Sequence, residues 1–328
     1  MNIAIPDDYQ QLVTTLDCYA TLRGHDVRVF QGPAQSLDEL TAQLQDAEVI
    51  VPIRERTLFS RELIERLPRL RHISQTGRST HHIDLAVCTA RGIAVSAGSH
   101  ASPHTIAEYT WALILSALRD IPGQSVHMKR GEWSRHMGIG LRGKTLGVDG
   151  FGKIGSLVAQ TGKSFGMRVM AWGGETSRQR AAEAGCDFAS SREALFAAAD
   201  VLSLHMRLTP ATRHSVTGAH FELMKPAALF VNTARADLVA PAALELGLKR
   251  GRPCYAAVDV YENEPVLGGD HPLLKMDRAL CTPHSAWIEK DMFELYFGGA
   301  FDNVVRFARG ENCNLVNPEA LKHYRTSD

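Results

Sequence analysis

One run, TLGVDGFGKIGSLVA at residues 145–159, restricts the fold of this chain more than any other stretch. Five residues of strand character lead into Gly150, Gly152 and Gly155, in G-x-G-x-x-G spacing, and then into a helical pattern. The first glycine permits a tight turn and the second lets backbone approach a pyrophosphate. The third lets the helix pack on the strand, while the helix N-terminus, with Lys153 and Ile154 in its first turn, offers unpaired N–H groups. The strand before and the helix after make this a dinucleotide cradle within a βαβ unit. It stands in the middle of 328 residues, however, and an acid, Asp149, precedes the first glycine.

What lies on either side explains the position. Upstream, NIAI, DVRVF, EVIVP, HISQ and IAV are short and rich in Ile and Val, and segments such as SRELIERL, with spacing of three and four, separate them. Downstream, TLGVD starts a second series that continues through MRVMAW, DVLSLH, ALFVNT, CYAAVDV and RALCTP. Alternation of this kind predicts parallel sheets with helices on both faces. Ser102-Pro103 starts a long helix over residues 102–119, and Pro122 is read as closing its far end. Residues 123–144 read as a helix and a loop, and a last helix covers about 288–309.

Bulk properties exclude several classes. Thirty-six basic and 36 acidic residues balance, so no global field draws nucleic acid or an anionic membrane. The six cysteines show no C-x-x-C spacing, and the longest apolar stretch, TWALILSAL, is too short for a membrane span. No signal peptide is read at the N-terminus, and a cytoplasmic location is expected. His100 and His104 have i,i+4 spacing without a glutamate between them, so no metal is expected.

The ribose-reading acid should stand about 20 residues beyond the glycines. Gly173 follows the strand there, with Glu175 two residues on and Arg178 after it. An acid suits the 2′-OH of NAD, whereas an arginine suits the 2′-phosphate of NADP. The residues lean towards NAD, with NADP the alternative.

Three later runs, FVNTARADLV, AAVDVYENEP and LCTPHSAW, each end a strand of the second series. Together with LRGKTLGVDGFGKIG and HTIAEYTWALILSALR, they closely resemble the D-isomer-specific 2-hydroxyacid dehydrogenases over nearly the whole chain. The resemblance implies a catalytic set of Arg235, Glu264 and His284. Arg235 would hold the substrate carboxylate in its guanidinium fork and polarise the 2-oxo group. His284 would act as general acid/base. Glu264 would pair with it and favour its charged form. Asp259 would meet the nicotinamide carboxamide, and Thr209 and Thr233 would lie along the cofactor. Arg54, Thr76, Gly77 and Arg78 would face the substrate.

It further implies two doubly wound parallel-sheet α/β domains. A Rossmann-type cofactor domain at 100–286 would be inserted in a flavodoxin-like substrate domain made of 1–99 and 287–328. The expected activity is hydride transfer between a nicotinamide cofactor and a small D-2-hydroxyacid/2-oxoacid pair. A homodimer through residues 123–144 is also expected. With the chain ending soon after the last helix, no appended regulatory domain is expected. Glu264 in place of the Gln expected in formate dehydrogenases disfavours that sister activity. The alternatives are a dinucleotide-sensing corepressor or scaffold and a catalytically silent homologue. Two departures from the pattern keep the second open: Ala236 for a glycine and Ser285-Ala286-Trp287 for a smaller turn; Asp149 for an apolar residue and Arg207 for a proline depart from it as well.

Overall fold

The computed structural model describes residues 1–98, 102–133 and 136–324. The chain divides into two units, Met1–Ala101 with Ile288–Asp328, and Ser102–Trp287. The boundary expected at 99–100 lies outside the described residues.

The first unit starts with β1 (Asn2–Ile5), β2 (Asp26–Val29), α1 (Leu37–Leu44), β3 (Val49–Ile50), α2 (Arg61–Glu65), β4 (His72–Gln75), α3 (Leu85–Ala90) and β5 (Ala94–Ala97). All five strands are parallel, in the order β2-β1-β3-β4-β5, the doubly wound order of flavodoxin-like sheets. Ser36, Ser60 and Asp84 cap the three helices, each accepting from the backbone N–H three residues on.

The second unit opens with α4 (Pro103–Arg119) and α5 (Ile121–Lys129). Asp120 sits between them at φ 48°, in the left-handed region that ends a helix, and its carboxylate caps α5. Pro122 therefore does not close α4, as the sequence reading had it; it stands in the first turn of α5, where a missing N–H costs nothing. Then follow β6 (Thr145–Asp149), α6 (Lys153–Ser164), β7 (Arg168–Trp172), α7 (Glu175–Glu183), β8 (Asp187–Phe188), α8 (Arg192–Ala198) and β9 (Val201–Leu204). The series ends with α9 (Gly218–Leu223), β10 (Leu229–Asn232), α10 (Ala243–Arg250), β11 (Tyr255–Val258) and β12 (Ala279–Cys281). The seven strands are parallel in the order β12-β11-β10-β9-β6-β7-β8. Counted from β6 this is the Rossmann order, extended by one strand.

Why the strands read as nearly unbroken apolar runs is visible in their packing. Leu202, Phe230 and Ala256 point into the core beneath α8, α9 and α10, whereas Val201, Leu229 and Ala257 point into the core beneath α4 and α6. Successive residues alternate faces and both faces are covered, so little polar surface remains. Thr145, Ser203 and Asn232 are buried polar residues of these strands, and Asp149 is the buried charged one. It is the last residue of β6 and wholly buried.

The chain then returns to the first unit as α11 (Lys290–Ala308) and α12 (Ala320–Tyr324). Helix α11 covers β4: Phe307 stacks on His72 with ring centroids 4.4 Å apart, and Ser74 Oγ donates to Ala300 O at 2.7 Å. No described helix is long and apolar enough to cross a membrane.

Candidate active site

In a doubly wound sheet, crossovers leave in opposite directions at one point, and a crevice opens there beyond the carboxyl ends of the strands. Here the reversal falls between β6 and β9, and the glycine loop follows β6. Gly150 has φ 100°, and a Cβ on it would lie 2.6 Å from His205 C and 2.7 Å from Met206 N, at the end of β9. A side chain on Gly155 would collide with Gly150 O and come within 3.0 Å of Val148 Cγ1. Gly152 differs from both: nothing in the chain lies within 4 Å of its would-be Cβ. Two glycines are thus required by the fold, and the third leaves backbone open to an incoming group. Gly152 is also the N-cap of α6 and supplies no side-chain cap, and the first turn holds no acid. Backbone N–H groups of Lys153, Ile154 and Gly155 therefore face the loop as an anion seat. These residues fit a dinucleotide pyrophosphate.

After β7, Gly173 has φ 152°, and a Cβ there would lie 2.6 Å from Ser177 Oγ. Glu175 begins α7, exposed, with its Oε2 3.8 Å from Arg178 Nε. The Arg178 guanidinium also lies over the Phe188 ring, 4.4 Å from its centroid. Thr209 lies in a turn of its own, its N–H donating to Thr212 Oγ1 at 2.8 Å. Thr233 is buried, and its hydroxyl meets that of Thr110 on α4 at 2.9 Å.

The catalytic set implied by the resemblance leaves three neighbouring strands. Arg235 follows β10, Glu264 follows β11 and His284 follows β12. Glu264 Oε2 accepts from His284 Nδ1 at 2.6 Å, and Glu264 Oε1 accepts from Tyr261 N at 2.8 Å. Since a carboxylate only accepts, Nδ1 carries the proton, and Nε2 is the ring nitrogen turned away from Glu264. His284 itself has φ 50°, an uncommon conformation for a side-chain-bearing residue.

What holds it there is Asp259. One carboxylate oxygen accepts from Thr282 Oγ1 at 2.6 Å and Ser285 N at 2.9 Å, and the other accepts from Ala286 N at 2.8 Å. Asp259 is wholly buried, and burial pushes its carboxyl above the usual range against the pull of those hydrogen bonds. The sequence reading placed this residue at the nicotinamide. In the structure its oxygens accept from the turn that carries His284. Ser285 and Ala286 take part in that turn through backbone N–H groups, which any residue but proline supplies.

Arg235 is exposed, and its Nη1 donates to Ala234 O at 2.7 Å. Asn232 sets its backbone: Nδ2 donates to Arg235 O at 2.9 Å, and Oδ1 accepts from Ala234 N at 3.0 Å. Among the described residues no hydrogen bond joins Arg235 to Glu264 or His284. Asn232, Thr282 and Tyr261 escaped the sequence reading although each lies within three residues of a chosen one. Asn232 and Tyr261 act through bonds that involve backbone groups and Thr282 through its hydroxyl to Asp259, arrangements that leave no spacing signal.

In the first unit, Arg54 has φ 55°, and its N–H donates to Thr76 Oγ1 at 2.7 Å. Its Nη1 donates to Tyr296 Oη at 2.8 Å, and its guanidinium lies 4.8 Å from that ring's centroid. Gly77, at φ 96°, passes so close that a Cβ would stand 2.7 Å from Arg54 Nη1 and 3.2 Å from Tyr296 Cε1. Arg54, Thr76 and Gly77 are thus brought together, and Arg78 is exposed beside them. His100 lies outside the described residues.

A family model described as D-isomer specific 2-hydroxyacid dehydrogenase, NAD binding domain, matches residues 111–286. The chain is 36% identical over 283 residues to a D-3-phosphoglycerate dehydrogenase of Methanocaldococcus jannaschii, covering 85% of this chain and 53% of that one. It is 37% identical over 271 residues to a glyoxylate reductase of Aeropyrum pernix, covering 80% of each. A crystal structure of a phosphoglycerate oxidoreductase from Vibrio cholerae O395 superposes with a TM-score of 0.91 at 45% identity, covering 94% of this chain and 99% of that one. The chain spans little more than half the length of the curated 3-phosphoglycerate dehydrogenases from M. jannaschii and Archaeoglobus fulgidus, 53% and 57%. A matched model over more than half of the chain, two Rossmann- and flavodoxin-type sheets, and relatives matched over four-fifths of their length lead to one assignment: this chain belongs to the D-isomer specific 2-hydroxyacid dehydrogenase family, and its second unit carries the family's NAD-binding domain.

Proposed function

We propose that the protein is an NAD-dependent oxidoreductase that interconverts a small D-2-hydroxyacid and its 2-oxoacid. The observation that carries this reading is the His284–Glu264 pair at 2.6 Å, after the two strands that follow, side by side, the one that ends in Arg235, within a sheet whose switch point holds an open glycine loop. In reduction, His284 donates a proton from Nε2 to the 2-oxo oxygen, and in oxidation Nε2 takes the hydroxyl proton. Glu264 holds Nδ1–H throughout and stabilises the imidazolium. Arg235 binds the substrate carboxylate and draws charge onto the oxo oxygen. Asp259 acts as a positioning residue through the His284 turn. Bound NAD(H) supplies or accepts the hydride at C2 of the substrate. The loop from Gly150 to Gly155 would hold its pyrophosphate.

Preference for NAD over NADP rests on Glu175 at the start of α7, and on Arg178, whose guanidinium is engaged by Phe188 and Glu175. Arg54, Thr76, Gly77 and Arg78 are proposed to contact the substrate. Ile121, Val126 and Met128 on α5, with Trp133 and Met137 beyond it, are exposed apolar side chains that support a homodimer through this region. Six unpaired thiols accord with a cytoplasmic location.

A panel of glyoxylate, hydroxypyruvate, pyruvate and phosphohydroxypyruvate, run with NADH and NADPH in parallel and with chiral analysis of the products of the last three, tests the reading. Turnover with NADH to a D-product is expected. An L-product would refute it, as would wild-type turnover retained after His284→Ala.

A further inference from the structure

Asp149 is the one charged side chain aimed from β6 into the core. It faces the same side as Gly147, where a Cβ would meet Ala199 Cβ at 3.0 Å and Leu195 Cδ1 at 3.4 Å, so it points towards α8. Its Oδ2 lies 3.1 Å from Arg192 Nε, and the Arg192 side chain is only 15% exposed. Among the described residues neither Asp149 oxygen nor Arg192 Nε makes an in-line hydrogen bond. Buried charges held without fork geometry add little to stability, and apolar residues of similar volume generally serve as well or better. The pair therefore calls for a role other than holding the core.

That role is indicated by what the rest of the guanidinium grips. Arg192 Nη1 donates to Ser215 O at 3.1 Å, and Nη2 lies 2.9 Å from Met206 Sδ. These are the two ends of the segment 206–215, which leaves β9 beside Gly150. Just ahead of it, His205 N donates to Asp149 O at 2.7 Å. Towards its far end Arg213 Nη1 donates to Asp237 Oδ2 at 2.5 Å, and His214 N donates to Asp237 O at 2.7 Å. Asp237 stands two residues after Arg235. Between the ends, Thr209 and Thr212 close a turn, with Thr212 Oγ1 donating to Arg207 O at 2.7 Å.

We infer that Asp149 and Arg192 are positioning residues: Asp149 fixes Arg192, and Arg192 clamps both ends of the segment 206–215 against the glycine loop, so that dinucleotide affinity and the setting of Arg235 depend on a buried pair that touches neither ligand. The inference rests on the reading of the glycine loop as a dinucleotide site. An apolar residue before Gly150 would serve the turn equally well but would leave Arg192 without its anchor.

The test uses the full chain carrying Asp149→Val with Arg192→Met, which removes both charges at similar volume, and a second variant, Arg192→Lys. Lysine keeps the charge but cannot reach both Ser215 O and Met206 Sδ. Three readouts are compared: the thermal midpoint, amide exchange of residues 206–215 without cofactor, and NADH affinity by fluorescence titration. The double variant is expected to keep the wild-type midpoint while exchange in the segment rises about tenfold or more. NADH Kd is expected to rise on the order of tenfold in both variants, with Arg192→Lys the milder. A merely structural pair would lower midpoint and affinity together, and the double swap would restore both. Wild-type exchange and a Kd within about twofold of wild type in the double variant overturn the inference. Failure of the wild type to bind either NADH or NADPH refutes the dinucleotide reading instead, and the exchange data then decide the clamp alone.

Discussion

Replacing Asp259 with Asn removes one charge and almost no volume, and the hydrogen bonds around it allow the outcome to be worked out. The carboxylate accepts three bonds through two oxygens, from Thr282 Oγ1, Ser285 N and Ala286 N. An amide keeps one accepting oxygen, which can retain Thr282 and Ser285. Its NH2 group then faces the buried Ala286 N–H, donor against donor. Leaving that N–H unsatisfied costs about 1–3 kcal/mol. Relief of the buried charge, whose burial already raises the Asp259 pKa, offsets part of this. A net loss of about 1–2 kcal/mol is expected, or a fall of about 2–8 °C in thermal midpoint for a unit of this size. Activity should suffer more. The loosened turn carries His284 at φ 50°, and a displacement of about 1 Å at a catalytic group costs up to ~100-fold in rate. Calorimetry and steady-state kinetics with NADH on the best 2-oxoacid measure both. A midpoint within about 1 °C of wild type, with kcat within about twofold, would show that Asp259 does not hold the turn.

Three other outcomes are expected. His284→Ala and Arg235→Ala should each lower turnover by ~10²–10⁴-fold while circular dichroism and the thermal midpoint stay near wild type, because both side chains are partly or largely exposed. Gly152→Ala, at a position with open space and φ −90°, should fold normally and weaken NADH binding; Gly155→Ala should lose stability, because its Cβ meets Gly150 O and Val148. Equal effects of the two glycine variants on unfolding would contradict the division between fold and ligand. Burial pushes the Asp149 carboxyl up from 3.8 to about 6, so the folded chain holds this proton more tightly than the unfolded chain. Its contribution is complete below about pH 4 and lost as pH rises through about 6, up to ~3 kcal/mol. Urea unfolding at pH 4.5 and 7.5 should therefore show wild type losing ground to the Asp149→Val, Arg192→Met double variant at the higher pH. A gap that does not change with pH would rule this out.

Much of the architecture was legible because apolar strands, glycine turns and capped helices are local signals. The strands from NIAI to RALCTP lie where their Ile and Val runs place them. Asp187–Phe188 was missed because two residues at a sheet edge carry no period. Pro122 was misread because the feature that ends α4 is Asp120 in a left-handed conformation, which composition does not reveal. Gly150, Gly152 and Gly155 could be recognised as a motif, but only coordinates separate the two that the fold requires from the one that faces a ligand. Gly77 could be suspected of making a turn. Coordinates add to its φ of 96° the close approach of the Arg54 guanidinium, held by Tyr296, which is 242 residues from Arg54 in sequence. Asp149 was legible as an oddity, and its partner Arg192 was not.

The return of α11 to the first sheet also has a consequence for synthesis. The β4 face bearing His72 and Ser74 is covered by Phe307 and the Ala300 backbone, which emerge only after the whole second unit has been made. At ~5–20 residues per second the first sheet waits roughly 10–40 s for its cover, whereas the second unit is one continuous stretch and can fold on the way. Ribosome-bound chains stalled before Lys290 should accordingly bind an apolar dye and recruit chaperones, and extension past Ala308 should abolish both. The helix that completes the first sheet is thus also its release step, and the order of translation gives the NAD-binding unit the first opportunity to fold.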